Sequence, residues 1–482
     1  MDWSKFKTSE FYFLRNFLPV AADLFLGRST EFIATFYSAH IGEDYYVTGI
    51  GIASQMTMCT ISAFIFCYGT VFECYAGATM KTKGKAAVGT LLYKCALQCM
   101  VAYTLALGPF LCLSYVIPLF GDDEAVHAVA VRYLKVMSVR PLLLVIRDTL
   151  IKYLVVQGYW FISLILTAFC GVPTIILLGW IFVIYLDWGM AGLVAAQYAL
   201  AVSSLFLLVG FVYWKRKELE IPVPTMEVFS NWWQMFKLGT YAGLRGLATF
   251  AVAAISITMS QVSGAITAEA VVIIYRVLMP FGATAPAMAY AQAITLGNGL
   301  GKRDRNEVTY SLKLGVFNLI IDRFLWTTIF LCILPVITAA LTLLPSVREE
   351  VHQAAPMVAV MLIFRGTDEF LARGVLTPLA KQLLVAITSL VSVYLVSVPL
   401  MTWFIYYFHA NAFWIFFSIT LGILIQSFVY VGRVFFLDID EEIEKSTERT
   451  ELNTASLASS GTVITSNSTG RVHRPSAGEL SD

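Results

Sequence analysis

Along the chain, apolar residues come in long runs almost free of charge, separated by short polar turns. A bilayer core of about 30 Å takes about 20 apolar residues in a helix rising 1.5 Å per residue. Runs of that length fall near residues 11–40, 47–72, 86–117, 133–157, 160–186 and 190–213. A polar interval from Trp214 to Trp233, holding Lys215-Arg216-Lys217-Glu218 and Pro222-Val223-Pro224, separates them from six more. These lie near 234–261, 269–296, 310–344, 352–376, 382–407 and 411–436. The pattern predicts about twelve membrane-spanning helices, the first, fourth and tenth being interrupted by charges. Pro173, Pro280, Pro286 and Pro399 fall within or near spans and predict kinks there.

Composition agrees with this picture. Only 13% of the 482 residues are charged, 58% are hydrophobic, and mean hydropathy is +0.74. A soluble protein carries about one quarter charged residues, so this chain lacks the surface a water-facing enzyme or nucleic-acid binder needs. The eight cysteines all fall within or at the edge of predicted spans. A disulfide framework is therefore not expected. Cys95 and Cys99, one helical turn apart with no His or third Cys nearby, read as small packing residues and not as metal ligands.

Charge placement orients the spans, because Lys and Arg collect on the cytoplasmic side. Lys5, Lys7 and Arg15 precede or open the first span, Lys81, Lys83 and Lys85 follow the second, and Lys152 follows the fourth. Lys215 to Lys217, Lys302 to Arg305 and Lys381 follow the sixth, eighth and tenth. The intervening turns are acidic or neutral, as in Gly42-Glu43-Asp44 and Gly121-Asp122-Asp123-Glu124, with Arg348 beside Glu349 and Glu350 as the exception. Both termini are therefore expected in the cytoplasm of a plasma or vesicle membrane. No cleavable signal is visible in Met1 to Arg15. The tail after Asp438 is acidic and then rich in Ser and Thr, a composition expected to be disordered. Its Asn467-Ser468-Thr469 sequon would not meet the glycosylation machinery there. The predicted organisation is a cytoplasmic N-terminus (1–10), a six-helix bundle (11–213), a cytoplasmic linker (214–233), a second six-helix bundle (234–436) and a cytoplasmic tail (437–482).

Six spans, a linker and six spans also imply an internal duplication. Gly-containing basic turns follow the second span of each half, at Gly77 to Gly84 and Gly299 to Asp304. The fourth span carries Arg147-Asp148 and the tenth carries Arg365, Asp368 and Glu369. Because six is even, both halves enter from the same side and the repeats are parallel. The fold class expected is an all-α polytopic membrane protein, two parallel six-helix bundles around a central cleft.

Phe32 to Gly42 and Glu73-Cys74-Tyr75-Ala76-Gly77-Ala78 resemble, in that order, the end of the first helix and the Gln-Ala-Tyr-Gly-Ala segment of the multidrug and toxin extrusion family of cation-coupled antiporters. Lys152 to Gly158 resembles its Tyr-Leu-Gln-x-Gln-Gly, and Trp188 to Ala196 the entry to its sixth helix. Leu296-Gly297-Asn298-Gly299-Leu300-Gly301 matches Val-Gly-Asn-x-Leu-Gly, the clearest of the set, and Tyr394 to Pro399 matches Tyr-x-x-Gly-x-Pro. The resemblance covers about residues 30–435. It implies a secondary transporter that exports small organic solutes or xenobiotics, exchanging them for protons. The chain departs from the family where coupling residues stand. Ala34 replaces the first-helix Asp, the seventh helix (Lys237 to Arg245) carries no carboxylate, Arg276 stands where an acid is usual, and the tenth reads Arg365-Gly366-Thr367-Asp368-Glu369.

A charge at the bilayer centre costs about 2.5–3.5 kcal/mol on insertion scales, so the few interior charges are the candidate site. In the first span Arg28 and Glu31 are three apart and can pair on one face. At about 100° per residue, Asp23 lies within about 20° of Ala34 and Glu31 about 60° from it. Glu31, Asp23 and Asp148 are the proton-coupling candidates. Arg245 and Arg276, with Asp368 and Glu369 as their expected partners, are the substrate-binding candidates. Unpaired, the two arginines would favour an anionic or zwitterionic substrate over organic cations. Asp322-Arg323 reads as a local solvated or paired feature. No phosphate-binding loop is present, and neither a cofactor, a metal nor an enzymatic activity is expected. The partners are a small organic solute, protons and the bilayer, with no nucleic acid, and the chain is expected to be a monomer. The alternatives are a lipid-linked or anionic-substrate flippase of the same superfamily, and a transporter-shaped sensor.

Overall fold

The computed structural model describes residues 3–42, 45–62, 72, 76, 79–80, 84–119, 123–159, 161–223, 226–229, 232–342, 344–379 and 381–445. The Glu73-Cys74-Tyr75 and Gly77-Ala78 motifs, Lys81 and Lys83, the acidic-turn residues Glu43, Asp44, Gly121 and Asp122, and the tail beyond Lys445 lie outside the described residues.

Among the described residues the chain makes twelve helical passages. In the first half these are α1 (Trp3–Ala39), α2 (Tyr45–Thr57, then a wider π turn over Met58–Ser62) and α3 (Lys85–Val116). They continue with α4 (Glu124–Met137, then Arg140–Val156), α5 (Phe161–Tyr185) and α6 (Gly189–Trp214). The second half has α7 (Trp232–Ser263), α8 (Ala265–Gly282, then Thr284–Gly301) and α9 (Arg305–Leu341). It ends with α10 (Pro345–Glu369, extended by a π stretch over Phe370–Leu376), α11 (Gln382–Phe408) and α12 (Ala412–Phe435). Eight of them are long and apolar enough to cross a bilayer by length and composition: α3, α5, α6, α7, α8, α9, α11 and α12. The charged first, fourth and tenth passages fall outside that set, as does the partly described second.

The proline positions mark where the helices deviate. A proline lacks the N–H for the ladder and its ring crowds the carbonyl four residues back. In α5 a π stretch, Thr167–Gly171, immediately precedes the segment opened by Val172-Pro173, and in α11 the π stretch Ser392–Ser397 precedes Val398-Pro399. Pro280 and Pro286 flank the interruption of α8 at Ala283. Aspartates cap two exposed helix starts. Asp123 accepts from the N–H groups of Ala125 and Val126, and Asp304 from those of Asn306 and Glu307, supplying acceptors to otherwise orphaned donors.

Small residues let helices approach closely, as association in lipid requires. A Cβ on Gly179 of α5 would lie 2.2 Å from the Tyr37 ring of α1, and the Tyr37 hydroxyl donates to the Ile176 carbonyl at 2.6 Å. The two bundles meet at the end bearing the 264 turn. There a Cβ on Gly51 of α2 would lie 2.6 Å from Val272 of α8, and His127 Nε2 lies 3.3 Å from Gln261 Oε1. The helix α1 also packs against the second half. Asn318 Nδ2 donates to Glu10 at 3.1 Å, and the Phe25 and Trp326 rings meet at a tilt with centroids 5.4 Å apart.

The polar interval between the halves docks on the first. Tyr153 OH donates to the Leu219 carbonyl at 3.1 Å, Lys85 Nζ to the Glu218 carbonyl at 3.1 Å, and Gln98 Nε2 to the Trp232 carbonyl at 3.0 Å. The Tyr159 hydroxyl also donates to the Glu218 carboxylate. Hydrogen bonds from Lys215 and Tyr159 hold that exposed carboxyl below the usual carboxylate range. Beyond α12, residues 439–445 form a short helix. Its Ile439 and Ile443 pack on the cluster around Leu296, Leu300 and Leu379, and buried Glu442 meets Lys381 Nζ at 2.7 Å. The acidic segment expected to belong wholly to the tail thus starts as a docked element, because its alternate apolar residues find a surface.

Candidate functional site: charges between the bundles

Charged residues of α1, α4 and α8 converge. From α1, Glu31 accepts from Arg140 Nη2 of α4 at 2.8 Å, and its other oxygen lies 3.7 Å from Arg276 Nη1 of α8. One carboxylate thus joins guanidiniums from both halves. Arg140 opens the second piece of α4, so the break after Met137 sets its side chain towards α1. This differs from two expectations. Glu31 is taken by Arg140 and Arg276 instead of pairing along its own helix with Arg28, and Arg276 meets Glu31 instead of Asp368 or Glu369. Arg28 closes no ion pair among the described residues.

These groups line a small pocket of about 50 Å³. Its wall carries Arg28, Glu31, Arg140, Arg276, Tyr133 and Gln55, with methionine and other apolar side chains between them. Three guanidiniums face one carboxylate. Gln55 Oε1 and Arg140 Nε are buried without a hydrogen-bond partner. Sequence reading missed Gln55; its signal was a lone amide in the otherwise weakly polar run of the second span.

Asp23, two turns before Glu31, belongs to a separate site inside the first bundle. Ser163 and Thr167 of α5 donate to its two oxygens at 2.6 and 2.8 Å, and Arg147 Nη2 donates to Thr167 at 3.1 Å. Arg147 therefore reaches Asp23 only through a hydroxyl. Asp148, the neighbouring residue, points elsewhere and pairs with Lys152 one turn on, at 3.2 Å. It joins neither Asp23 nor Glu31.

In the second bundle, Arg245 of α7 donates to Glu369 of α10 at 2.8 Å and lies 3.9 Å from Asp368. Glu369 also meets Arg373 Nε at 2.6 Å. One oxygen of Asp368 is buried without a partner. Gln426 of α12 is held nearby by Ser389, Ser392 and Tyr430 at 2.7–3.0 Å. Asp322-Arg323 is not solvated. Asp322 is 7% and Arg323 3% exposed, they pair with each other, and both bond Thr284 at the interruption of α8. A Cβ on Gly366 of α10 would lie 2.2 Å from Arg323 Cδ. Among the described residues no cluster of three His, Cys, Asp or Glu has metal-site geometry.

Two helical bundles thus meet at a seam that carries a polar pocket lined by charges from both. Residues 19–181 match the MatE family model. The chain superposes on AtDTX14, a eukaryotic MATE transporter, at a TM-score of 0.79 with 16% identity, covering 91% of this chain and 100% of that one. It is similar to a MATE transporter in complex with MaL6 at a TM-score of 0.69 with 14% identity, over 92% and 96% of the two chains. A MOP superfamily transporter from Pyrococcus furiosus, described as having a binding pocket of reversed polarity, gives 0.69 with 14% identity over 90% and 95%. No curated protein matches in sequence. The chain thus matches the MatE family model over residues 19–181 and shares the fold of MATE transporters over about nine tenths of its length.

Proposed function

We propose that this protein is a secondary transporter that carries small organic anions through the pocket between its bundles by alternating access. The observation behind this reading is the charge of that pocket, three arginines against one glutamate. Away from water, charges are screened weakly, so an unbalanced guanidinium attracts an anion and repels a cation more strongly than it would at a surface. The reversed polarity described for the Pyrococcus relative is a precedent for such a departure within the superfamily. The end bearing basic turns faces the cytoplasm in this reading, as do both termini.

Proteoliposomes holding the full chain test this with two probes in parallel, p-aminohippurate and tetraethylammonium. The anion should move and the cation should not, and Arg276→Ala should slow anion movement at least about tenfold, the scale for removing one desolvated charged partner. Movement of tetraethylammonium alone would overturn the proposal. It would favour a second reading, the proton-driven export of organic cations that the resemblance to the MATE family suggests. That reading draws on carboxylates away from the arginine pocket, Asp23 between its two hydroxyl donors and Asp368 with its unpartnered oxygen. Transbilayer movement of a labelled anionic lipid in the same vesicles would instead indicate a flippase.

A further inference from the structure

Within the pocket, Glu31 takes the place that an anion from solution would fill. One of its oxygens accepts from Arg140 and the other faces Arg276, so an anionic group from α1 sits where two guanidiniums from different halves converge. Around it are hydrogen-bonding groups without partners. Arg28 closes no ion pair among the described residues, and Arg140 Nε and Gln55 Oε1 are buried and unsatisfied. The geometry points to Glu31 as a tethered stand-in for the transported anion: protonated, it yields the arginines to the substrate, and ionised, it reclaims them. This inference rests on the anion reading above.

Exclusion follows from the positions of the charges. The charged or titratable groups around Glu31 are Arg28 on its own helix, Arg140 and the Tyr133 hydroxyl on α4, and Arg276 on α8. From α2 come Ser54, Gln55 and Thr57, which do not titrate, and α5, α6 and α7 place no charged side chain on the pocket wall. Arg365 and Arg373 of α10, and Asp148 of α4, act on Arg28 at longer range. An incoming anion therefore competes with one carboxylate for the same donors. When a proton from the aqueous phase binds Glu31, one negative charge is removed and Arg140 and Arg276 are released together. Buried guanidiniums without a counter-charge are costly, so an anion is drawn in to replace the carboxylate. On the far side the proton leaves, Glu31 re-forms its bonds and the anion is expelled. Proton and anion travel in the same direction, and the ionised Glu31 bridge holds the halves together in the empty carrier.

Benzenesulfonate is a suitable probe because it stays ionised across the working range, so any pH effect belongs to the protein. Its binding to the full chain in lipid nanodiscs is measured by calorimetry at about pH 7.5 and about pH 5.5. Binding that requires a protonated Glu31 tightens by up to about tenfold per pH unit, since only that fraction of the protein is competent. Glu31→Gln should bind at both pH values at least as tightly as the parent does at the lower one. Equal affinity of the parent at both pH values would overturn the stand-in, as would weaker binding by Glu31→Gln than by the parent at the higher pH. Neither result touches the anion pocket. Absence of benzenesulfonate binding under every condition, with tetraethylammonium bound, would remove the pocket assignment itself. The comparison of the parent chain at two pH values stands even if the variant fails to fold.

Discussion

Arg323 shows at single-residue scale what buried charge does here. With its side chain 3% exposed, it pairs with Asp322, reaches Thr284 and packs on Gly366, tying α8, α9 and α10. Breaking a buried pair by removing one partner costs about 3–5 kcal/mol, whereas replacing both with apolar residues is often neutral. Asp322→Asn should therefore lower thermal stability in detergent markedly, and Asp322→Leu combined with Arg323→Met should restore most of it. If the double variant is as unstable as the single one, the pair is not the source of the loss. The same logic shows how far residues were legible one by one. Glu31, Asp23, Arg245, Arg276, Asp368 and Glu369 stand out in the sequence because charges in apolar runs are rare. Their partners did not, since Glu31 to Arg140 spans 109 positions and no local spacing specifies which guanidinium arrives.

At the scale of helices, prolines and charges located the irregularities, but close approaches were decided by packing. Gly51 lies where α2 and α8 meet near the 264 turn, and any side chain there meets Val272. Gly51→Leu should hold this end apart, so a cysteine placed at Val272 reacts faster with a membrane-impermeant maleimide than in the glycine parent. An unchanged rate would mean that this contact does not close the end. The linker makes a prediction of its own sign. Glu218 sits below the usual carboxylate range because Lys215 and the Tyr159 hydroxyl donate to it. The contribution is present above the ordinary carboxylate value and is lost as pH falls through the lowered one. Proteolysis of the linker should therefore speed up in acid, and Glu218→Gln should show the fast rate already at neutral pH.

Over the whole molecule, the short helix after α12 separates two truncations. Ending the chain after Asp438 removes Glu442 from Lys381 and the apolar contacts of Ile439 and Ile443, and should lower the melting temperature. Ending it after Lys445 keeps that element, and should leave stability and transport unchanged. A loss of transport by the second truncation with an intact melting temperature would assign the remaining tail a part in the cycle.

The sequence alone determined the class of the protein, because runs of about 20 apolar residues between charged turns have one stable home, the bilayer. It also determined the count of passages and which residues are too costly to be incidental. The tertiary structure decided how those residues combine. It placed Glu31 between arginines of both bundles, kept Asp23 with the hydroxyls of α5, turned Asp148 to Lys152 and gave Arg245 to Glu369. The physical reason is that hydropathy is a local quantity summed along the chain. A buried charge is satisfied by whichever partner the packing of distant helices brings within about 4 Å, where a weakly screened environment makes that contact strong.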